Sequence, residues 1–365
     1  MATPRASIYT AASGGGIYAG IAGAPSWVDG LFAWSEIPGS TLAGSAAGLG
    51  SAPGDAGSPA NALVAFSGIT IRDDELYLVA VGGHMNSADN GVRRLRLGVN
   101  APAWELRRAS DWNGSEMLTA YYASGSPASR HTYRNVHWVP QLGRFMLLGS
   151  RYVYGNPGTS FLDVAGYDPV GNAYDPAGTY ADCLGAISAF DPVSGIGIGC
   201  RPNVGGQIVK WVAATDTHTQ PIPAPAYLTC FAYDSGRLEW FGLAWGDGEA
   251  GGSVINSYKV DRDVTSATAI TLAGAGVAVF AAATPTDCTM VYDSRVGCYF
   301  LWEGASRQLF KIVPNATATW TMTVQAISGT PPPVREYDFS RMEVTPWGLV
   351  FMPSGIGPLF HVRTA

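Results

Sequence analysis

From Phe66 onward the hydrophobic positions fall into pairs of short runs, the first alternating and the second more continuous, divided by a tight turn of Asp, Pro or Gly. Alternation with a period of two marks a half-buried strand, and the turn residues between two such runs mark a hairpin. Six copies are present: FSGITIRDDELYLVAVGG from Phe66, YRNVHWVPQLGRFMLLGS from Tyr133, LGAISAFDPVSGIGIGC from Leu184, YLTCFAYDSGRLEWFGLAWG from Tyr227, DCTMVYDSRVGCYFLWEG from Asp287 and FSRMEVTPWGLVFMPSG from Phe339. Their turns centre on Asp73, Pro140, Asp191, Asp234, Asp293 and Pro346, which spaces successive copies by 67, 51, 43, 59 and 53 residues. A third strand-like run follows each hairpin: GVRRLRLGV, TSFLDVAGYDP, GQIVKWVAATD, SVINSYKVDRD, RQLFKIVPN and GPLFHVRT. Fourth runs are clear in PAWELRRAS, in ATAITLAGA from Ala267 to Ala275 and in TWTMTVQAIS, and poor around Tyr174 to Ala181 and Gln220 to Ala226. The last copy reaches Ala365 with only three strands, while LFAWSEIPGSTL near the N-terminus supplies one strand without partners. Leu31 to Pro38 is therefore expected to complete the last unit, which would remove the edge that an open sheet leaves exposed.

The stretch from Leu76 to Arg108 carries a family likeness. Its apolar run ends in Gly82-Gly83, a polar loop and an alternating strand follow, and Trp104 comes twenty-one residues after Gly83. That layout resembles a kelch blade, and the copy spacing is close to the roughly 50 residues of a kelch-type repeat. The resemblance implies an all-β chain folded as a six-bladed β-propeller, the last blade closed by an N-terminal strand. A pair of β-sandwich domains would use the same hairpins but does not predict six near-equal repeats. The Gly/Ala-rich style, with its SRHTY and WVPQLGRFMLLG segments, also resembles kelch-like proteins carried by tailed bacteriophages. This second likeness implies a virion tail or tail-fibre component that docks on other virion proteins or on a host-surface glycan, with self-association into a homo-oligomer compatible with it.

Composition adds limits. Hydrophobic residues make up 47% and charged residues 14%, with 46 Gly and 24 Pro, which favours turn-rich packed sheets over long amphipathic helices. Residues 1–30, rich in Ala, Gly and Ser, read as an N-terminal arm, and 31–365 as a single domain. The net charge of −6 leaves no basic footprint for gripping nucleic acid. No charged n-region precedes an apolar run at the N-terminus and no eighteen-residue apolar stretch exists, so neither a signal peptide nor a membrane span is expected. Cys183, Cys200, Cys230, Cys288 and Cys298 form no CxxC pair and read as buried thiols, none with a histidine close by in sequence.

Candidate chemistry is sparse. The galactose-oxidase arrangement of copper ligands is not reproduced: His131 and His137 are six strand steps apart, roughly 20 Å. Asp234 in YDSGRLEWF partly matches the Asp-box of sialidases but suits a hairpin turn equally well, and the turn is preferred. Loop acids such as Asp89, Asp111, Glu116, Asp247 and Glu249 keep open a carbohydrate-active enzyme that would pair two of them. An intracellular kelch scaffold for a protein partner is the third reading. No cofactor or metal motif is present. The residues best suited to a contact surface are Tyr121, Tyr122, Tyr152 and Tyr154, aromatic among Gly, Ser and Asn, together with His84 after the glycine pair. A non-enzymatic structural or binding protein is the leading expectation.

Overall fold

Every expected hairpin forms, and the strands assemble as consecutive antiparallel meanders. The computed structural model describes residues 23–42, 68–80, 88–112, 119–150, 161–200, 207–223, 230–245, 255–283, 288–333, 341–353 and 357–365. After β1 (Trp34–Glu36), the first sheet holds β2 (Thr70–Arg72), β3 (Glu75–Val79), β4 (Val92–Arg96) and β5 (Trp104–Arg108). The second holds β6 (Val136–Val139), β7 (Arg144–Ser150), β8 (Phe161–Asp168) and β9 (Ala173–Tyr174). The third holds β10 (Ala186–Asp191), β11 (Ile196–Cys200), β12 (Gln207–Val212) and β13 (Thr217–Pro223).

Two further meanders follow: β14 (Cys230–Asp234), β15 (Glu239–Trp245), β16 (Ile255–Asp261) and β17 (Ala267–Ala273), then β18 (Cys288–Asp293), β19 (Cys298–Glu303), β20 (Gln308–Val313) and β21 (Thr319–Val324). They are not separate sheets. Residues 271–273 of β17 pair in parallel with 319–321 of β21, which joins the two meanders into one sheet of eight strands. The closing sheet has β22 (Met342–Thr345), β23 (Gly348–Phe351) and β24 (Phe360–Val362), with β1 antiparallel to β24 through Trp34↔Val362 and Glu36↔Phe360. The architecture is thus all-β and propeller-like, with four four-stranded sheets and one of eight strands where six equal sheets were expected.

Three local departures have physical causes. The strand expected over Ala267–Ala275 ends at Ala273; Gly274, at φ 109°, turns the chain into helix α1 (Ala275–Ala282). This helix lies so close to β21 that a Cβ on Gly276 would stand 2.9 Å from the Met322 backbone. The fourth strand of the third sheet begins at Thr217 rather than near Gln220, and as the outermost strand, with a register shift opposite Ile208 and Lys210, it accommodates Pro221 and Pro223. The poor fourth strand of the second sheet is indeed short, two residues.

The leading strands β2, β6, β10, β14, β18 and β22 lie side by side around a ring, and β22 returns to β2. Apolar clusters fill the seams between neighbouring meanders. Between the fifth meander and the closing sheet, Trp34 packs edge-on against Trp302 (5.5 Å) and Phe351 (4.9 Å). Between the closing and first sheets lie Trp27, Ile37, Leu76, Leu78, Trp104, Val350 and Met352. The N-terminal residues strap this seam: Trp104 Nε1 donates to the Ser40 carbonyl (2.6 Å), the Leu359 amide donates to Ser40 Oγ (2.8 Å), and Trp27 Nε1 donates to the Val99 carbonyl (2.9 Å). Gly39 is required here, since a Cβ would overlap the Pro102 carbonyl.

Trp34→Ala should lower unfolding stability by about 2–3 kcal/mol, below the loss for a fully buried Trp because this ring is part-exposed. Denaturant unfolding measures it; a change under about 0.5 kcal/mol would mean that β1 does not close the ring.

Candidate functional site

The segment leading from the first sheet to the second, residues 119–135, contains two of the four tyrosines singled out above. It is irregular yet mostly buried from Ser126 to Asn135, so its polar groups need internal partners. Tyr122 is buried and its hydroxyl donates to the Ala88 carbonyl at 2.6 Å. Tyr121 donates to the Val164 carbonyl at 3.1 Å, and burial, with Asp163 nearby, pushes its phenol up to about 12. Arg130 lies 6.0 Å over the Tyr121 ring and pairs with Asp163 at 2.6 Å, while also donating to the Ala120 and Ala128 carbonyls. Asp89 pairs with Arg93 and Arg108 with Asp111; Asn90 bonds Ser110, the Asp111 amide and the Pro127 carbonyl. Both tyrosines therefore brace the first sheet against the second. His84, Tyr152 and Tyr154 lie outside the described residues.

The loop acids divide the same way. Asp89 and Asp111 are taken by arginines, whereas Glu116, Asp247 and Glu249 lie outside the described residues. Asp234 accepts from the Gly236 and Arg237 amides (2.8 and 2.9 Å) and pairs with the Arg237 side chain, which is a turn-holding role. Asp191 and Asp293 do the same at the equivalent turns. Arg295 also reaches from Asp293 to the Pro346 carbonyl in the next meander, as Arg237 reaches from Asp234 to that of Pro314. Burial raises the Asp293 carboxyl, but the bonds and charge of Arg295 outweigh it and hold the group below the usual range.

One constellation went unseen in the sequence. Cys183 Sγ lies 3.2 Å from His218 Nδ1, and His218 Nε2 lies 4.0 Å from an Asp216 oxygen. The thirty-four residues between Cys183 and His218 hid the pairing: the histidine is distant from the cysteine in sequence and beside it in the fold. The order of groups is that of a nucleophilic triad. Its electrostatics are not. Cys183 is 1% exposed and burial pushes its thiol up to about 12, so it remains S–H beside the imidazole. Burial also pushes His218 down, with Asp216 opposing. Asp216 is engaged elsewhere, by Trp211 Nε1 (3.0 Å) and the Ala181 amide (2.5 Å), and the Trp211 ring stacks on His218. These contacts fasten the connection before β10 onto the outer strand β13.

Three other histidines are described, and His131 Nδ1 faces the Tyr133 hydroxyl at 2.9 Å. His137 Nε2 faces the Ile187 carbonyl at 3.0 Å, and His361 Nδ1 faces Ser35 Oγ at 3.4 Å. Burial pushes both down to about 4. Among the described residues, no three His, Cys, Asp or Glu side chains converge to hold a metal ion, and no helix is long and apolar enough to cross a membrane.

No family model matches the chain, and no curated protein matches it. A solved structure titled "Structure of YjhT" is similar with a TM-score of 0.48 and 11% sequence identity, the match covering 82% of this chain and 94% of that one.

Two outcomes follow from this geometry. In the native protein, part-exposed Cys200 should react with a thiol reagent before Cys183; mass mapping that finds Cys183 modified first would contradict the assignment of a buried, protonated thiol. The folded pKa of His137 lies below the ordinary 6.5, so the unfolded chain takes up the proton first and stability is lost as pH falls from about 6.5 to about 4. His137→Gln should reduce that acid slope in thermal melts, and equal slopes for the two proteins would count against it.

Proposed function

We propose that this chain is a six-bladed propeller acting as a non-enzymatic structural or binding protein. The count treats the eight-stranded sheet as two blades: its halves are complete meanders joined by three residues at their outer strands, and six leading strands form the ring. The observation that carries the functional reading is the use of the reactive side chains. Asp191, Asp234 and Asp293 hold turns, Asp89 and Asp163 hold arginines, and the Cys183–His218–Asp216 constellation is buried and uncharged at sulfur. A ring in which these described groups are engaged internally supports a reading of surface rather than chemistry, and its connections are where contacts would vary.

The kelch-like resemblance to proteins of tailed bacteriophages supplies the setting: a tail or tail-fibre component docking on neighbouring virion proteins or a host-surface glycan. On this reading Tyr152 and Tyr154 are contact residues. Particles carrying Tyr152→Ala with Tyr154→Ala should incorporate the protein or adsorb to cells at least tenfold less well, with the melting temperature of the isolated protein unchanged. Unaltered incorporation and adsorption, or absence of the protein from purified particles, would overturn it.

A further inference from the structure

The segment that closes the ring is held on both of its edges. On one side β1 pairs with β24 through Trp34↔Val362, Ser35↔His361 and Glu36↔Phe360, and the Phe32 and Ile37 amides donate to the Arg363 and Leu359 carbonyls, each at 2.9 Å. On the other, the Trp34 amide donates to the Ser328 carbonyl (2.9 Å) and the Ser328 amide to the Phe32 carbonyl (3.0 Å), beyond the end of β21. Side chains add to this hold: Trp34 meets Trp302 of the fifth meander, Trp27 meets Trp347 of the closing sheet (5.8 Å), and Ile37 and Leu42 join the cluster shared with the first sheet. Residues 27–42 thus occupy a slot lined by three sheets. We propose that this slot is an exchange site between copies of the chain, in which residues 27–42 of one copy close the ring of a second and the reverse, giving a strand-swapped dimer.

Three features make a second copy the fitting occupant. β1 is the end strand of its sheet, so it can leave and be replaced without breaking the ladder among β22, β23 and β24. Its connection to β2 is longer than the closed ring requires: Leu42 and Ile69 belong to one apolar cluster, yet twenty-five residues, 43–67, stand between Leu42 and Gly68. A chain of that length spans up to about 80 Å when extended, enough to carry the strap to a neighbouring molecule. Finally, the slot of each copy receives the same residues that it holds here, so the contacts of the closed ring are kept in the swapped dimer. What decides between the two forms is concentration. A strap tethered by such a connection competes at an effective concentration on the order of 1 mM, so dilute chains close on themselves and crowded ones exchange. Exchange depends on ring closure by the N-terminal segment and not on the virion setting.

The test places a cysteine pair across the join in the full chain. Ser35→Cys with His361→Cys puts two thiols at directly paired positions of an antiparallel ladder, a separation suited to a disulfide. Position 361 is buried, so a chance collision between closed molecules does not link them. Equal amounts of unlabelled and heavy-isotope protein are mixed, held under reductant until the mixture no longer changes, then oxidised, digested and read by mass spectrometry. At about 1 mM, half of the straps should have exchanged and half of those should join unlike chains, so about a quarter of the peptides linking positions 35 and 361 should carry both labels. At a thousandfold lower concentration almost none should. If this pair does not fold, Glu36→Cys with Phe360→Cys tests the same ladder. Links confined to single-label chains at the higher concentration would overturn exchange and leave ring closure standing; absence of any such link in both variants would overturn the two together.

Discussion

The structure depends on closing a ring of sheets with non-covalent contacts. Each meander covers the apolar face of its neighbour, so an unclosed ring would expose two such faces and a free strand edge together. Here the closing sheet takes β22, β23 and β24 from the C-terminal end and β1 from the N-terminal end. Three residue pairs are a slender join. Residues flanking β1 reinforce it: Trp27, Ile37 and Leu42 enter the apolar cluster between the closing and first sheets, and Ser40 bonds both sides. The N-terminal segment is thus a strap as well as a strand.

Polar groups serve the same end. A strand-ending aspartate that caps its hairpin turn recurs at Asp191, Asp234 and Asp293, and the closing sheet uses Thr345, whose hydroxyl accepts from the Trp347 and Gly348 amides. Capping arginines carry the hold across to the next meander through Pro314 and Pro346. Such groups resemble catalytic carboxylates in the sequence and act as fasteners in the fold. This is the physical basis for the proposed reading of the protein as a scaffold.

What could be read from the sequence followed the range of the interaction. Hairpins were visible because period-two alternation and an Asp or Pro turn are local signals. Closure by Leu31–Pro38 was visible because three strands at one end and one at the other must be reconciled. The parallel join of β17 to β21 has no local signature, nor does the pairing of Cys183 with His218, which depends on how a connection lies over a strand formed thirty-five residues later. Tyr121 and Tyr122 looked like surface aromatics among small polar residues; only the buried course of their segment turns their hydroxyls to carbonyls. The helix at Ala275–Ala282 was hidden because AGVAVFAA is as apolar as the strand before it.

The central claim, that N-terminal residues close the ring, is tested most directly by comparing a chain that begins at residue 43 with one that begins at residue 23. The account predicts that the shorter chain loses cooperative unfolding and self-associates through its open edge, while the longer one melts as the full chain does. A shorter chain that remained monomeric with an unchanged melting temperature would contradict it.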